Sequence, residues 1–204
     1  PELRAEFKSS STPVVVAGSV VNDKELPAVR IDYRKAAKEA VTRLLDHNHD
    51  HVALVTSSLG YSINADDRLS GYKDALADAG VDFDDQLVIE TDGSYKQIYD
   101  QAKAIADSGV KAAYVTNDHL AVGLLNGLTD SGIKVPDDFE IISSNDTTYT
   151  RLCRPMLTSI SQPLYDIGAV SMRLLTKLME DKDDSESNVI LEHSIIPRQS
   201  TRLQ

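Results

Sequence analysis

The amino-acid sequence predicts an open α/β layer of the Rossmann-like class, in which parallel strands are flanked by helices. Short apolar runs alternate with longer segments of helical periodicity, and glycines or capping residues mark the borders between them. Between residues 51 and 144, four strands alternate with three helices through short connections. This arrangement is the one expected of a parallel sheet that is covered by helices.

The first part of the chain predicts a strand, a helix and a further strand. Residues 13–18 form a short apolar run that ends at a glycine, and residues 29–32 form a second short strand. A helix is expected from about Tyr33 to His47, because its alanines, valine and leucines recur at helical spacing. The continuous apolar run from His51 to Thr56 is the next strand.

The same alternation continues through the middle of the chain. A polar loop is expected over residues 57–67, and Arg68 then opens a helix that ends before Gly80. The remaining elements in this part are strands at 87–90, 112–116 and 140–143 and helices at 95–108 and 118–131. After Thr147 an irregular stretch that contains Arg154–Pro155 is expected, and no strand is assigned to the following residues 157–163. Residues 189–197 form a single last strand after a polar loop.

The segment from Gln162 to Lys177 predicts an amphipathic helix, with Pro163 in its first turn. The expected core face consists of Leu164, Ile167, Leu174, Leu175 and Leu178. The expected outer face carries Tyr165 and a stripe formed by Asp166, Val170, Arg173 and Lys177. Its two cations, one turn apart, could bind a phosphoryl group on a partner protein. The same charges complement the helix dipole, so a solvated face is the alternative, and patterning alone favours it.

Composition indicates a globular, soluble protein and argues against several classes of function. The 204 residues carry a formal net charge of −11, so this chain by itself is not expected to bind DNA. No apolar run approaches the roughly 18 residues of a membrane span, and no signal peptide is visible. Cys153 is the only cysteine, which is typical of a cytoplasmic protein, and it is expected to be a small packed side chain.

No motif points to catalysis, so neither an enzyme nor a cofactor is predicted. The sequence has no glycine-rich dinucleotide or phosphate loop, no nucleophile elbow and no His-Glu-x-x-His. His47, His49 and His51 could in principle bind a metal ion. They lie where a helix passes into a strand, and a solvated turn is the favoured interpretation.

Polar residues follow the carboxyl ends of the predicted strands, where open α/β sheets bind ligands. They are Arg68, Asp118, Asn145 and Asp146. A cation at the start of a helix is disfavoured by the helix dipole, so Arg68 is expected to have an anionic or hydroxylated partner. Asp118 is the expected N-cap of its helix, and capping alone and capping with ligand contact remain equally open.

Several separated motifs resemble the LacI/GalR family of bacterial transcription regulators, and the resemblance covers nearly the whole chain. They are Val29–Asp32, Arg68–Tyr72, Thr116–Asp118 with Leu120–Gly123, Val135–Pro136, Asn145–Asp146, Arg154–Ile160 and Gln162–Pro163. Within that family, Tyr165–Lys177 and Arg198–Arg202 are most similar to the catabolite control regulators of Gram-positive bacteria.

The resemblance implies two similar subdomains, joined by three crossovers and separated by a cleft. Residues 1–48 would be the remnant of the first subdomain and residues 49–159 the second. Residues 160–187 would return to the first, and residues 188–204 would form the final strand and tail of the second. The crossovers would lie near Asn48, Ser161 and Ser187. The full protein would be a cytoplasmic homodimer that binds DNA through an amino-terminal helix-turn-helix domain, with the helix at Asp118 contributing to the dimer.

The resemblance also implies a protein effector, the serine-phosphorylated phosphocarrier HPr, whose binding closes the subdomains and changes DNA affinity. Its contacts carry over onto Tyr165, Asp166, Val170, Arg173 and Lys177, with the phosphoserine on Arg173 and Lys177. The effector cleft would be lined by Asp32, Arg68, Asp118, Asn145 and Asp146. Because Asn145 stands where relatives use an acid, a phosphosugar such as glucose 6-phosphate or fructose 1,6-bisphosphate suits this cleft better than a neutral sugar. The alternative is a sugar-binding protein of a transport system.

Overall fold

The structure is a computed structural model that describes residues 12–19, 26–47, 49–57, 59, 63–180 and 188–202. These residues form two compact units. Unit 1 takes its residues from Pro1–Asp32 and Pro163–Glu192, and unit 2 takes them from Tyr33–Gln162 and His193–Gln204.

Strands and helices alternate along the chain, as the α/β prediction requires. The strands are β1 (Val16–Ala17), β2 (Ala28–Ile31), β3 (Val52–Ser57), β4 (Val88–Thr91), β5 (Ala112–Val115), β6 (Glu140–Asn145), β7 (Thr158–Ser161), β8 (Asn188–Leu191) and β9 (Ser194–Ile196). The helices are α1 (Tyr33–Asp46), α2 (Ile63–Asp78), α3 (Tyr95–Asp107), α4 (Asp118–Asp130), α5 (Thr148–Leu152) and α6 (Leu164–Met179).

Unit 1 contains a three-stranded parallel sheet and the long helix α6. The sheet has the order β1-β2-β8, so β2 is central and pairs in parallel with both neighbours. Ala28, Val29 and Ile31 of this central strand are fully buried. Helix α6 packs against β1 and β2. Its buried residues Ile167 and Leu174 therefore form the apolar core of this unit together with β2.

Unit 2 contains a six-stranded sheet with the order β4-β3-β5-β6-β7-β9. Every strand pair is parallel except β7 with β9, which is antiparallel. Helices α3 and α4 pack on the face of the sheet that carries Val55, Val115 and Ile141. Side chains alternate between the faces of a strand, so Leu54 and Tyr114 lie on the opposite face, which α1 and α2 cover. No helix in the described ranges combines the length and apolar character needed to span a membrane.

The borders between the units differ from the predicted subdomain boundaries. Helix α1 was expected in the first subdomain, but it packs against α2 and belongs to unit 2. The chain thus enters unit 2 between Asp32 and Tyr33, and the predicted crossover at Asn48 lies outside the described residues. The return to unit 1, between Gln162 and Pro163, lies next to the predicted crossover.

The last predicted strand is in fact two strands that belong to different sheets. Residues 188–191 pair with β2 in unit 1, whereas residues 194–196 pair with β7 in unit 2. The third passage therefore falls between Glu192 and His193. The predicted crossover at Ser187 lies outside the described residues. The sequence does not indicate this change of sheet, because apolar residues occur on both sides of Glu192 and His193 and read as one strand.

One predicted helix start was wrong, and two short elements were not predicted. Helix α2 begins at Ile63 and not at Arg68; the first turn was missed because Asn64, Asp66 and Asp67 interrupt the apolar spacing that indicates a helix. The stretch after Thr147, which was expected to be irregular, contains the short helix α5, and the unassigned residues 157–163 contain the buried strand β7. Strand β7 escaped prediction because three of its four residues are Thr or Ser.

Candidate functional site

The structure places four of the five predicted cleft residues in unit 2, beside the carboxyl ends of its parallel strands. Arg68 lies in α2, Asp118 opens α4, and Asn145 and Asp146 end β6 or follow it. Asp32 follows β2 and lies in unit 1. Strand alternation divides the polar side chains of this edge into two groups, one on the α4 face and one on the α1 and α2 face.

Asp118 belongs to the α4 face, and its carboxylate is almost completely buried. Its Oδ2 accepts hydrogen bonds from the backbone N–H and the hydroxyl of Thr147, both at 2.7 Å. Burial raises the pKa of Asp118, although the bonds from Thr147 act in the opposite direction. The predicted N-cap role was wrong, because Asn117 is the N-cap and accepts a bond from the His119 N–H. Asp118 instead fixes the turn that follows β6.

Asn145 and Asp146 form a left-handed pair at the end of β6, with φ angles of 107° and 51°. Asn and Asp tolerate this conformation better than other residues with a side chain. The Asp146 carboxylate accepts hydrogen bonds from the Arg198 guanidinium at 2.6 Å and from the Thr150 hydroxyl at 3.0 Å. Asp146 is therefore held in a partly buried ion pair with the last segment of the chain.

Asn145 is connected by hydrogen bonds to Gln162 and, through it, to Tyr33, which are the last and first residues of the longer segment of unit 2. The Gln162 amide N–H donates to Asn145 Oδ1 at 2.6 Å, and the Tyr33 hydroxyl donates to Gln162 Oε1 at 3.2 Å. The guanidinium carbon of Arg68 lies 4.8 Å from the centroid of the Tyr33 ring, which is a cation–π contact. Arg68 and Asn145 are thus linked through Tyr33 and Gln162.

Two polar atoms on this face have no hydrogen-bond partner among the described residues. They are Arg68 Nε and the Tyr114 hydroxyl, and both are buried. Burial raises the pKa of the fully buried Tyr114, while the nearby Arg68 and Ser144 act to lower it. Both side chains lie close enough to influence the phenol, but their distances and angles fall outside those of a hydrogen bond. Because more than nine in ten buried polar groups in proteins have a partner, these two atoms are exceptions in the described part of the chain.

The helix-dipole argument for a partner of Arg68 was wrong, because this residue lies well inside α2 and not at its start. The buried Nε is a separate reason to expect a partner. Tyr114 was not singled out in the sequence, because it stands in the middle of the apolar strand predicted at residues 112–116. Its hydroxyl was the available signal, because a buried Tyr usually bonds a polar partner.

The opposite edge of the same sheet contains a paired carboxylate. Glu140, at the start of β6, accepts bonds from His47 Nδ1 at 2.8 Å and His49 Nε2 at 2.9 Å. The solvated-turn interpretation was wrong for these two histidines, whose side chains are only 6% exposed. Burial acts to raise the pKa of Glu140, but the bonds from His49, the Arg202 N–H and His47 hold it below its usual range. The described residues include no cluster of three or more His, Cys, Asp or Glu side chains suited to a metal ion.

Helix α6 of unit 1 presents the predicted partner-binding residues on its outer side. Asp166, Arg173 and Lys177 are exposed and Val170 is half-buried, and these four lie within about 60° of the helix circumference. Tyr165 is 87% exposed and lies outside this arc. The predicted core face is correct for Ile167 and Leu174 but wrong for Leu164, the first residue of the helix, which is 58% exposed.

Comparison with known proteins connects these observations to a family. A family model described as a periplasmic binding protein-like domain matches residues 41–201. Catabolite control protein A of Streptococcus mutans is 48% identical over 201 residues, which cover 98% of this chain and 60% of that protein. The chain thus spans about 60% of the length of the curated relatives it matches.

Solved structures agree with the sequence matches. The transcription regulator CcpA of Lactococcus lactis superposes with a TM-score of 0.93 at 43% identity, over 98% of this chain and 74% of that one. A LacI family transcriptional regulator from Enterococcus faecium with bound ribose superposes with a TM-score of 0.87 at 27% identity, with the same coverage. The chain therefore belongs to the periplasmic binding protein-like domain family, in the form found in LacI-family transcription regulators.

Proposed function

We propose that this chain is the regulatory core of a catabolite control transcription regulator whose effector is the serine-phosphorylated phosphocarrier HPr. The observation that carries the proposal is the exposed arc of α6, where Arg173 and Lys177 are one turn apart beside Val170. Arg173 forms no hydrogen bond or ion pair with another described residue. The identity of 48% to a catabolite control protein supports the same function.

The chemistry of this arc suits a phosphoserine. The phosphorylated side chain carries a charge of about −1.5 to −2 near neutral pH and has three strong acceptor oxygens. Two exposed cations compensate that charge and donate several hydrogen bonds. Val170 provides the apolar contact beside it, and the exposed Tyr165, about two turns earlier on the helix, contacts another part of the partner. An unmodified serine would gain nothing from the two cations, so phosphorylation decides the affinity.

Binding on α6 regulates the protein only if it favours one arrangement of the complete homodimer. Such a coupling typically amounts to about 1 to 3 kcal/mol, because the effector must bind one arrangement better than the other. DNA is bound through an amino-terminal helix-turn-helix domain of the full protein, which is cytoplasmic and has no catalytic role. The acidic chain itself, with a net charge of −11, repels the DNA backbone.

Calorimetric titration of the full-length dimer with phosphorylated and unmodified HPr tests this function. Wild type should prefer the phosphorylated carrier, and Arg173→Ala should remove that preference. Arg43→Ala is the matched control, because Arg43 is an exposed arginine in the last turn of α1. Equal loss of affinity for both carriers in Arg173→Ala, or an equal effect of Arg43→Ala, would contradict the phosphate-binding role.

A second, smaller effector binds at the carboxyl edge of unit 2. The observation in favour is the buried Nε of Arg68, which has no hydrogen-bond partner among the described residues and lies beside neutral polar groups. A phosphosugar such as glucose 6-phosphate or fructose 1,6-bisphosphate supplies the anion, and Asn145 hydrogen-bonds a sugar hydroxyl. Asp118 and Asp146 hold the turn that presents Asn145.

Titration with glucose and with glucose 6-phosphate separates this role from that of a transport protein. The regulator should bind the phosphosugar more tightly, and Arg68→Ala should remove the difference. Tight binding of neutral glucose, together with no response to HPr, would instead indicate a sugar-binding transport protein. The comparisons do not favour that alternative, because the similar proteins are transcription regulators.

A further inference from the structure

The α1 and α2 face of the carboxyl edge contains a polar layer that the predicted cleft residues do not explain. The strand ends contribute Thr56, Thr116, Tyr114, Ser144 and Gln162 to this face, as their register shows. Thr56 and Thr116 bond each other at 3.3 Å, and Gln162 bonds Asn145 and Tyr33. Tyr114 is the exception, because its hydroxyl has no partner among the described residues.

The neighbours of Tyr114 determine what kind of atom its hydroxyl could bind. Arg68 Nε also has no hydrogen-bond partner in the described ranges, and it can only donate a hydrogen bond. The side chains that the strand ends contribute on this face are all neutral. The positive charge beside them is that of the Arg68 guanidinium. A phosphoryl oxygen accepts from both the N–H and the phenolic O–H and also compensates the guanidinium charge.

We propose that Tyr114 is a specificity-determining residue, whose hydroxyl joins Arg68 Nε in binding one phosphoryl oxygen of a small anionic effector. This inference rests on the proposed phosphosugar site and deepens it. The ring of Tyr33, stacked against the guanidinium at 4.8 Å, holds Arg68 in place. Full burial of the Tyr114 ring fixes the hydroxyl, so the oxygen meets two preorganised donors.

The substitution Tyr114→Phe tests the proposal, because it removes only the hydroxyl. Its affinity for glucose 6-phosphate in the full-length dimer should fall about tenfold or more, since one hydrogen bond to a charged group is lost. Affinity for glucose should change much less. Without ligand, the melting temperature should stay the same or rise, because an unpartnered buried hydroxyl destabilises the fold.

Tyr72→Phe is a matched control for the same chemical change. Tyr72 is also fully buried in unit 2, but its hydroxyl donates to the Val52 carbonyl at 2.8 Å. This variant should melt at a lower temperature and keep its affinity for glucose 6-phosphate. The opposite responses of the two tyrosines are the signature of the proposed site, and a purely structural role of Tyr114 would not produce them.

Inorganic phosphate distinguishes a phosphoryl oxygen from a water molecule as the partner. If the proposal is correct, phosphate competes with glucose 6-phosphate in wild type and competes poorly in Tyr114→Phe. The melting temperature of ligand-free Tyr114→Phe could instead fall as far as that of Tyr72→Phe. Such a decrease would show that water already bonds the hydroxyl and would overturn the proposal. Wild-type binding with unchanged affinity in Tyr114→Phe would also overturn it, while the phosphosugar site would stand. Absence of binding in wild type would reject both.

Discussion

The two edges of the six-stranded sheet in unit 2 hold buried carboxylates in opposite ways. At the amino edge, Glu140 accepts hydrogen bonds from two imidazoles and a backbone N–H, and its pKa is held below the usual range. At the carboxyl edge, Asp118 accepts only from neutral groups, and burial raises its pKa. Both carboxylates are almost completely buried, so burial does not explain why their pKa values shift in opposite directions. The hydrogen-bond donors around each carboxylate explain it.

This contrast distinguishes an edge that stabilises the fold from an edge that can bind a ligand. Glu140 connects its own strand to two segments that are distant in sequence, one with His47 and His49 and the other with Arg202. The carboxyl edge contains a left-handed pair of residues and two buried polar atoms without partners among the described residues. Open α/β sheets bind ligands at this second edge, where the loops that follow the strands meet.

Glu140→Gln should have the largest effect on stability, with a loss of about 3 kcal/mol, because the imidazoles and Arg202 lose their buried anion. Since the folded-state pKa of Glu140 is lowered, its contribution is present above the unfolded pKa and disappears as pH falls through the folded value. Wild-type stability should therefore decrease below about pH 4.5, and the variant should depend less on pH there. Urea unfolding at several pH values measures both effects; an unchanged profile would exclude the ion pair as their source.

Arg198→Met should have the next largest effect, about 2 kcal/mol, because Asp146 loses its partly buried ionic partner. The guanidinium also donates to the Leu157 carbonyl at 2.7 Å, which would be left without this donor. Arg202→Met is the matched control, since the Arg202 side chain is about half exposed and lies 3.5 Å from Glu140. Urea denaturation should show a loss several times smaller for Arg202→Met, and equal losses would contradict this assignment.

Asp118→Asn should change stability by less than about 1 kcal/mol, although it makes the same acid-to-amide change as Glu140→Gln. An amide oxygen can still accept from both donors of Thr147. The raised pKa of Asp118 means that the wild type gains stability as pH falls through the folded value, and the Asn variant should lack this gain. Thermal melts at neutral and acidic pH test this, and a loss as large as that of Glu140→Gln would remove the distinction between the edges.

Asn145→Asp should have the smallest effect on stability, a few tenths of a kcal/mol, because Asp also tolerates the left-handed conformation. The new carboxylate can accept the bond from Gln162. Its charge should weaken binding of glucose 6-phosphate and strengthen binding of glucose, because charge-assisted bonds to hydroxyls are stronger. Titrations with both sugars measure the change in preference, and a preference equal to wild type would show that Asn145 does not contact the effector.

Local patterning was sufficient to predict most of the helices and strands. Helix α1 was placed within one residue, because its apolar spacing is regular. Strand β7 was not predicted, because its polar residues are buried only through partners such as Ser200 and Arg198, far along the chain. The borders between the units were displaced for the same reason, since the position of α1 is decided by its packing on α2.

The same limit applies to the candidate site. Arg68, Asn145 and Asp146 were identified because they follow strand ends, which depends on sequence order alone. Glu140 was assigned only as the start of a strand, because its two histidine partners are more than 90 residues away in the sequence. The unpartnered hydroxyl of Tyr114 could not be predicted either, since burial and the position of Arg68 together create it.

The final segment of the chain also has a consequence for folding during synthesis on the ribosome. Strand β9 and residues 198–202 pair with β7, β6 and the loops beside them, although unit 1's helix α6 and strand β8 precede them in sequence. A nascent chain that ends before Ser194 would leave the edge of β7 unpaired, and Asp146 would lack Arg198. Unit 2 therefore completes its fold only after the second segment of unit 1 has emerged.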